Sequence, residues 1–440
     1  MKRAHFYPQQ MDTKQSNFLA ITAADFIVRA AYQMGKTPLL PIFAASLGAT
    51  DALLGLIVSV STVTGMVLKP GIGLLSDKWG RRIWFFVGAL FFAGVPFFYR
   101  FVETPGQLFT IRLIHGTATA IYGPVTIAYV AEQAKTRRAE RIGWFGAARS
   151  GGYIVGPFVA SGLLLWLSPV DIFSVIGALS LLAFIPLMLL SSQPDRKRTG
   201  STSRNRMTKE SATQQPLATQ FFAAMKAVRG ANAVWISGGM EGFVYITLYA
   251  LRAFLPIYAL ASGINVLFVG SFFSVQEIVY MLVRPVGGRI GDWNGFRRTL
   301  LYGIGLLGAT LIFLSWQSVA ERTSAGTLLV VALLLGLSQA LIFPSTIALA
   351  ASQIEGEHLG AGMGIVGSLK NAGKIAGPIL GGLLIGWLSY PTMLLLLGLL
   401  LWAAVGLIGL GHKRFDHIRT SFRTNAFLPK VNTLRNNTKK

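Results

Sequence analysis

Charged side chains interrupt several of the longest apolar stretches of this sequence. A charge at the centre of a bilayer costs at least about 2.5 to 3.5 kcal/mol, so such a residue usually faces a partner, a cavity or water. A buried carboxylate can carry a proton, and a buried cation can pair with a carboxylate or hold an anionic ligand. The deepest members of this set are Asp25, Glu241, Glu277, Arg29, Arg112, Arg149, Lys370 and Lys374.

Asp25 and Arg112 could form an ion pair. A rise of 1.5 Å per residue places them about 12 Å and 11 Å from opposite ends of their apolar stretches, at similar heights in a core of about 30 Å. Protonation of Asp25, or of Glu241, would then loosen the pairing with Arg112 and favour one orientation of the protein. Glu277 is a further candidate for proton coupling. The alternative is a salt bridge between Asp25 and Arg29 within one helix, without a functional role.

Cations outnumber carboxylates in this deep set by five to three, an excess that favours an anionic or carboxylate-bearing ligand. The predicted ligand-binding residues are Arg29, His115, Arg149, Lys370, Lys374, Tyr32 and Tyr122. The tyrosines would form aromatic walls with polar tips, although tyrosine in helices more often packs in a core. Cations near the ends of apolar stretches are expected to extend toward the membrane surface and are left out of the site. These are Lys36, Lys69, Arg252 and Arg284.

The composition indicates a polytopic membrane protein. The 440 residues have a mean hydropathy of +0.55 and only 13% charged residues, about half of the roughly 25% that is usual in soluble domains. The absence of cysteine excludes disulfides and thiolate chemistry. The formal net charge of +23 falls between apolar runs, so membrane topology explains it better than nucleic-acid binding.

Nucleotide-driven and hydrolytic mechanisms lack their sequence motifs. Gly35-Lys36-Thr37 has the ending of a phosphate-binding loop, but Ala30 replaces the leading glycine and the segment is apolar. No His-Glu-x-x-His or Gly-x-Ser-x-Gly motif is present. We therefore predict no enzyme activity, no metal and no cofactor, with a proton gradient as the energy source.

Apolar stretches predict an all-α membrane protein of 12 transmembrane helices, six on each side of a polar interval. Residues 17–192 are predicted to form an N-terminal six-helix bundle and residues 231–410 a pseudo-symmetric C-terminal bundle. Between them, residues 193–230 form a basic linker, and residues 1–16 and 411–440 form the terminal tails.

The distribution of Lys and Arg predicts that both termini are cytoplasmic. That orientation places 29 of the 40 basic residues in tails and inward loops, nine inside spans and two, Arg100 and Arg322, in outward loops. Basic loops resist translocation, so this asymmetry sets the orientation. We expect the protein to lie in a cell membrane, namely the bacterial inner membrane.

The two halves of the sequence repeat each other. The segment from Lys69 to Asp77 realigns on Arg284 to Asp292 after 215 residues, and a Gly-x-x-x-Gly-Pro motif recurs after 221. Repeated bundles in one chain are typical of secondary transporters, in which a central site lies between two halves that rock against each other. At the second offset Arg149 and Lys370 are equivalent, which predicts two cations facing each other across a pseudo-twofold axis. The alternative is that Arg149, close to its membrane edge, extends to the membrane surface.

Three motifs resemble those of the major facilitator superfamily. Gly73-x3-Asp77-Lys78-x-Gly80-Arg81-Arg82 is similar to its loop signature, and Arg112-x2-His115-Gly116 is similar to its second motif. Gly143-x8-Gly152-x3-Gly156-Pro157-x2-Ala160-Ser161 resembles the antiporter motif of its drug:proton exchangers. Ala160 and Ser161 replace two glycines of that motif, whereas the complete pattern, with Gly381-Gly382, appears in the C-terminal half.

The resemblance implies gating roles for loop and helix residues. In the superfamily the aspartate and the following cations hold the cytoplasmic gate shut while the cavity opens outward, and the alternative is that these cations only set topology. Asp77 is expected at a helix N-terminus, with Gly73 and Gly80 allowing close packing. The small-residue stripe would either pack helices or transmit coupling. The gating set is Gly73, Asp77, Gly80, Arg81, Arg82, Asp292, Gly152, Gly156, Pro157, Gly377 and Pro378.

The expected function is proton-coupled efflux of a drug-like or anionic amphipathic compound by alternating access. A monomer in the lipid bilayer is expected, with a small-molecule substrate and protons as partners and no nucleic acid. One alternative is a proton-coupled importer of an organic anion, which the excess of cations favours. The other is a non-transporting membrane sensor or scaffold that works through its basic tail, His412 to Lys440.

Overall fold

Long helices run back and forth across the molecule in twelve passes in the computed structural model, which describes residues 8–133, 138–191, 232–352 and 359–410. The predicted linker and C-terminal tail lie outside the described residues. The first half contains α1 (Pro8–Met34), a π-helical turn (Gly35–Leu39), α2 (Leu40–Ser46), α3 (Asp51–Trp79), α4 (Arg81–Gly94), a 3-10 turn (Val95–Phe101), α5 (Pro105–Gln133), α6 (Arg138–Leu163), α7 (Pro169–Leu181) and α8 (Phe184–Met188). The second half contains α9 (Asn232–Ala261), α10 (Val266–Asn294), α11 (Phe296–Val319), α12 (Ala325–Ala351), α13 (Leu359–Trp387) and α14 (Tyr390–Leu410).

The passes differ in how apolar they are. Eight of the described passes are long and apolar enough to cross a membrane by length and composition alone. The other four run through α1 with α2, and through α5, α6 and α13, which carry most of the deep charges predicted from the sequence. α1 begins at Pro8, before the predicted start of the first span at residue 17.

Side-chain caps and glycine turns build the connections at the two ends of the bundles. At one end, which we call the far face, helices begin with side-chain caps that accept backbone N–H bonds. These caps are Thr50, Ser168, Asn265, Ser324 and Ser389. At the opposite end, which we call the linker face, Gly80 joins α3 to α4 and Gly295 joins α10 to α11, with φ of 82° and 88°. Glycine adopts this backbone without strain, so the backbone requires Gly80.

The hydrophobic core is continuous across both halves near the far face and divided near the linker face. The largest buried cluster joins Leu54 of the first half to Phe272 of the second. Nearer the linker face, each half has a separate cluster, one around Phe85 and the other around Val366. The described halves therefore share one apolar core toward the far face, whereas toward the linker face their cores are separate, and we call the region between the two cores there the gap.

Two symmetry-related hydrogen bonds join the halves on the far-face side of this gap. Ser59 on α3 donates to the carbonyl oxygen of Ile375 on α13 at 2.8 Å. Ser274 on α10 donates to the carbonyl oxygen of Ile154 on α6 at 2.6 Å. The two donors are 215 residues apart and the two acceptors 221, the offsets of the sequence repeat.

A pair of close glycine contacts lies one turn nearer the far face. Gly55 on α3 packs on the carbonyl of Pro378, and Gly270 on α10 packs on the carbonyl of Pro157. Neither glycine has room for a Cβ. We call the two sets of contacts, Gly55 and Ser59 on α13 and Gly270 and Ser274 on α6, the far-face seals.

Candidate functional site

A buried ion pair joins α1 to α6 in the first half. Asp25 is fully buried and accepts hydrogen bonds from Nε of Arg149 at 2.9 Å and from Nη2 at 2.8 Å. The same Nη2 approaches Thr126 Oγ1 on α5 at 3.1 Å, and Arg29 Nε lies 3.7 Å from Asp25 Oδ1. Two guanidinium groups therefore compensate a carboxylate whose burial as an unpaired charge would cost several kcal/mol.

The second half contains the counterpart of this pair. Lys370 Nζ on α13 lies 3.5 Å from Glu241 Oε1 on α9, and Thr346 Oγ1 on α12 donates to Glu241 Oε2 at 3.1 Å. The carboxylate, the cation and the threonine lie 216, 221 and 220 residues after their counterparts in the first half. We call Asp25–Arg149–Thr126 and Glu241–Lys370–Thr346 the two carboxylate triads. The repeat has placed a carboxylate, a cation and a threonine together twice, but Thr126 accepts from the cation whereas Thr346 donates to the carboxylate.

Each carboxylate lies behind its cation. The side chains of Asp25 and Glu241 are 0% and 4% exposed, whereas those of Arg149 and Lys370 are 19% and 35% exposed. The cations therefore border the gap, and the carboxylates do not. Protonation of either carboxylate would remove the charge that holds its cation.

The predicted pairing of Asp25 with Arg112 is wrong. Arg112 is 1% exposed and donates through Nη2 to Ser61 Oγ at 2.6 Å. In the part of the chain that the structure describes, no carboxylate lies within 4 Å of Arg112. Similar depth does not place two side chains on facing sides of their helices, and Arg149 occupies the position beside Asp25. Arg149 and Lys370 likewise bind carboxylates of their own halves instead of meeting each other.

Two of the predicted ligand-binding residues are sealed inside the first half. His115 is 2% exposed, with Nδ1 3.1 Å from Tyr99 Oη and its ring edge-on to Tyr32 at 5.3 Å. Tyr122 has no exposed surface and packs edge-on against Phe92 at 5.8 Å. A ligand in the gap would not reach His115 or Tyr122 in this conformation, so they support the site from behind.

A small void lies between the halves at the inner end of the gap. Its lining residues are Gln33, Thr37, Tyr153, Pro157, Arg252, Phe273 and Glu277. Arg252 Nη2 lies 4.0 Å from Glu277 Oε2, so the predicted site residue Glu277 does border the interior. Arg252 does not extend to the membrane surface as predicted, because its guanidinium group lies over the Tyr249 ring and faces Glu277 at the void.

Lys36 also lies in the interior, contrary to prediction. Its Nζ is 5.9 Å from the ring centroid of Tyr32 and 5.3 Å from that of Tyr249 in the other half. The first pass is interrupted at the π-helical turn, where Thr37 leaves the helical region with φ −150° and ψ 123°. This interruption places Lys36 between the halves. Pro38, with Gly35 before it, is the sequence signal of the interruption.

A comparison with known families decides the identity of the chain. Residues 24–326 and 239–435 both match the model of the Major Facilitator Superfamily. The chain belongs to this superfamily. It is therefore a multi-pass membrane transporter rather than an enzyme, and the twelve-helix fold in two related halves is confirmed.

Curated relatives of this superfamily member include drug-resistance proteins. It is 26% identical over 375 residues to Multidrug resistance protein 1 of Bacillus subtilis, covering 83% of this chain and 90% of the relative. It is 26% identical over 359 residues to an uncharacterized MFS-type transporter of Methanocaldococcus jannaschii, covering 81% and 88%. Quinolone resistance protein NorA of Staphylococcus aureus is 28% identical over 163 residues, covering 37% of this chain and 42% of that protein.

Solved structures share the fold. The nucleoside transporter NupG superposes with a TM-score of 0.70 at 16% identity, covering 90% of this chain and 99% of that one. A bacterial homologue of the human lysosomal transporter Spinster, in an inward-facing and unoccupied conformation, gives 0.69 at 14% identity, covering 92% and 97%.

The loop signature of this transporter forms an ion network on the linker face. Arg81 Nη2 lies 2.9 Å from Asp77 Oδ1 and 2.7 Å from Glu132 Oε1, all within the first half. Asp77 lies in the last turn of α3 rather than at a helix N-terminus as predicted, because α3 continues through Gly73 to Trp79. A Cβ at Gly73 would meet nothing within 4 Å, so packing does not require this glycine in the observed conformation.

The remaining signature residues lie at the same face. Arg82 follows Arg81 in the first turn of α4, and Asp292, the repeat of Asp77, is exposed in the last turn of α10. Among residues 8–133, 138–191, 232–352 and 359–410, the network of Asp77, Arg81 and Glu132 makes no ion pair with the second half. Within those residues it does not join the two halves in this conformation.

The glycine stripes pack helices within each half. A Cβ at Gly152 would lie 2.9 Å from Cβ of Arg29, and one at Gly156 would lie 2.7 Å from Cβ of Gln33, so α6 lies directly on α1. Gly377 packs α13 on α9 in the same way. These close approaches bring each cation to its carboxylate. Pro157 and Pro378 follow the stripes and meet the opposite half at the far-face seals.

Proposed function

We propose that this transporter moves a drug-like or anionic amphipathic solute out of the cell in exchange for protons. The observation that carries the proposal is the first triad, in which a fully buried Asp25 binds an arginine that borders the gap. Relatives named for drug resistance in Bacillus subtilis and Staphylococcus aureus support the direction of export.

In the proposed cycle the charge of Asp25 sets the strength of the contact between α1 and α6. A charged Asp25 holds Arg149 and Arg29, whereas a protonated Asp25 releases both guanidinium groups toward the gap. Glu241 and Lys370 would act in the same way between α9 and α13, and Glu277 with Arg252 would act at the void. For antiport, solute loading accompanies the charged state and the empty return accompanies the protonated state.

The surplus of cations supports a second candidate, proton-coupled import of an organic anion. An anionic group that binds a cation released by protonation would travel together with the proton. The same triads would then drive symport, because the bound anion replaces the charge that protonation removed. The direction of proton movement separates the two candidates.

Downhill solute flux in vesicles tests the proposal. A growth-inhibition screen across drugs and organic acids first selects a compound, which is then added outside proteoliposomes that contain the pH-sensitive dye pyranine. Antiport exports protons as solute enters, so we expect the internal pH to rise. Acidification beyond that of protein-free vesicles would assign symport. Solute flux without a pH change would contradict proton coupling.

We also propose that Asp77, with Arg81 and Arg82, stabilises closure of the linker face in the opposite conformation. In this proposal the linker face lies in the cytoplasm, as the distribution of Lys and Arg predicts, so the gap would open inward and the network would be at rest. Asp77→Asn should weaken the closed linker face by about 1 kcal/mol, which shifts the ratio of the two conformations about five-fold. We expect several-fold slower turnover with an unchanged proton-to-solute ratio.

The matched control for this prediction is Glu321→Gln, which removes an exposed carboxylate at the far face. Turnover and the proton-to-solute ratio are both measured in the pyranine vesicles. Faster turnover, or loss of coupling at normal turnover, would argue against a gating role for Asp77.

A further inference from the structure

Three cations from both halves surround the ring of Tyr249. Lys36 Nζ from the first half lies 5.3 Å from the ring centroid, Lys374 Nζ from α13 lies 5.5 Å away, and Arg252 Cζ from α9 lies 5.4 Å away. Tyr249 itself is 8% exposed. None of these contacts depends on the carboxylate triads.

The charges in this cluster are not balanced. Arg252 approaches Glu277 at 4.0 Å. Within the described ranges, no carboxylate lies within 4 Å of Lys36 or Lys374. Cation–π contacts contribute roughly 0.5 to 2 kcal/mol each, less than the several kcal/mol that removing an ion from water costs. An anionic group between the two lysines would supply the missing counter-charge.

An aromatic surface continues from this cluster. Tyr245 lies 5.8 Å from Tyr249 between ring centroids, and it stacks on Phe343 at 5.0 Å with an interplanar angle of 22°. Lys374 Nζ also lies 4.7 Å from the Tyr245 ring. An apolar or aromatic body attached to the anionic group would find a matching surface here.

We propose that Lys36, Lys374 and Arg252, arranged around Tyr249, bind the sulfonate, carboxylate or phosphate group of an amphipathic anion. The aromatic body of that ligand lies against Tyr245. Because Lys36 belongs to the first half and the other two cations to the second, the ligand bridges the halves. The inference rests on the proposed function and narrows its substrate class to amphipathic anions, but the binding that it predicts requires no proton gradient.

A pair of isosteric probes tests the site. Naphthalene-1-sulfonate and naphthalene-1-sulfonamide share one aromatic body and differ in charge. Calorimetric titration of the purified full-length protein in a non-ionic detergent should show tighter binding of the sulfonate. The double variant Lys36→Gln/Lys374→Gln should bind the sulfonate about 10-fold more weakly, and the sulfonamide should change less than about two-fold.

Control variants separate lost charge from lost structure. Lys36→Arg/Lys374→Arg keeps both charges and should retain most of the preference for the sulfonate. Arg289→Gln removes one exposed cation on α10 outside the cluster and should leave both affinities unchanged. Size-exclusion profiles and melting temperatures establish folding, and the single Gln variants replace the double one if it unfolds.

Two results would overturn the inference. One is a wild-type protein that binds the two probes equally or not at all, and the other is a Gln variant that keeps the wild-type affinity for the sulfonate. Repeating the titration in phosphatidylcholine nanodiscs with and without phosphatidylglycerol identifies the source of the anion. If phosphatidylglycerol competes with the sulfonate in the wild type but not in the Gln variant, the site binds a lipid headgroup. If phosphatidylglycerol does not compete in the wild type, the site binds a soluble anion.

These outcomes are distinct from failure of the proposed proton coupling. An Asp25→Asn protein should keep the preference for the sulfonate, because Asp25 belongs to the first triad and not to the cluster around Tyr249. If coupling fails in the vesicle assay while the sulfonate preference remains, the anion site stands without the proton cycle.

Discussion

Vesicles that contain the Asp25→Asn variant should lose pH-driven solute transport by about 100-fold or more, equivalent to roughly 2.7 kcal/mol. Asparagine keeps the shape of the side chain and one oxygen that can accept a hydrogen bond from Arg149. It cannot take up a proton, and it cannot alternate between holding and releasing the guanidinium group. The step that links protonation to the contact between α1 and α6 would therefore be missing.

Binding of naphthalene-1-sulfonate without a gradient distinguishes lost coupling from lost folding. The proposed antiport cycle loads solute while Asp25 is charged, so the neutral asparagine should stop transport, but it lies outside the cluster around Tyr249 and should leave sulfonate binding intact. Glu103→Gln, which removes an exposed carboxylate at the far face, is the matched control and should behave like the wild type in both assays. Normal pH-driven transport by Asp25→Asn would remove Asp25 from the mechanism.

The second triad offers an internal comparison for this experiment. Glu241 is held by a single lysine at 3.5 Å, whereas Asp25 is held by a bidentate arginine at 2.8 and 2.9 Å with a second arginine nearby. Charge-assisted bidentate pairs are stronger than a single longer contact. Loss of charge at Glu241 should therefore disturb its half less, and Glu241→Gln should impair coupling less than Asp25→Asn.

The sequence predicted the duplication because the repeat consists mainly of glycines and prolines. These residues determine backbone turns and helix contacts at their own positions. Backbone turns such as Gly80 and Gly295, and helix contacts such as Gly152, need small residues at fixed places in both halves. Buried charges indicated a functional interior because each one is costly in lipid. These inferences require only composition, spacing and hydropathy.

The partners of the buried charges could not be predicted from depth. Asp25 had three cations at similar heights, and the rise per residue says nothing about which face of a neighbouring helix is turned toward it. The repeat contained a usable signal, because Asp25, Thr126 and Arg149 recur as Glu241, Thr346 and Lys370 at offsets of 216, 220 and 221. Three polar residues that recur together indicate one arrangement that was copied.

The interior position of Lys36 depended on a break in the first pass. An unbroken helix would have carried Lys36 toward the membrane surface, as the span boundaries suggested. The π-helical turn and Thr37 change the direction of the chain at that point. Local breaks of this kind depend on tertiary packing, which outweighs the pattern of apolar residues.

The far-face seals give the second large expected effect. Replacing Gly55 and Gly270 together with valine should prevent the halves from closing at the far face. A Cβ at Gly55 would meet the carbonyl of Pro378, and one at Gly270 would meet the carbonyl of Pro157 and the side chain of Ser161. Overpacking costs typically about 1 to 3 kcal/mol per site, so two substitutions should oppose closure by roughly 2 to 6 kcal/mol.

A distance measurement across the far face tests this expectation directly. The chain has no cysteine, so spin labels can be placed at Ser46→Cys and Ser262→Cys, which are exposed on opposite halves, without removing native thiols. Electron–electron double resonance should give a short distance in the parent protein and a longer one in the double valine variant. Gly106→Val with Gly406→Val is the control, because a Cβ at either position meets nothing within 4 Å.

The hydrogen bonds of the seals predict a graded version of the same result. Ser59→Ala and Ser274→Ala remove one inter-half bond each but add no bulk, at a net cost of about 1 kcal/mol apiece. Their combination should broaden the label distances toward the open population without abolishing the short one.

A valine variant that keeps the short distance would show that the helices can shift to accommodate the new methyl groups. The glycines would then contribute to packing but would not control which face is open.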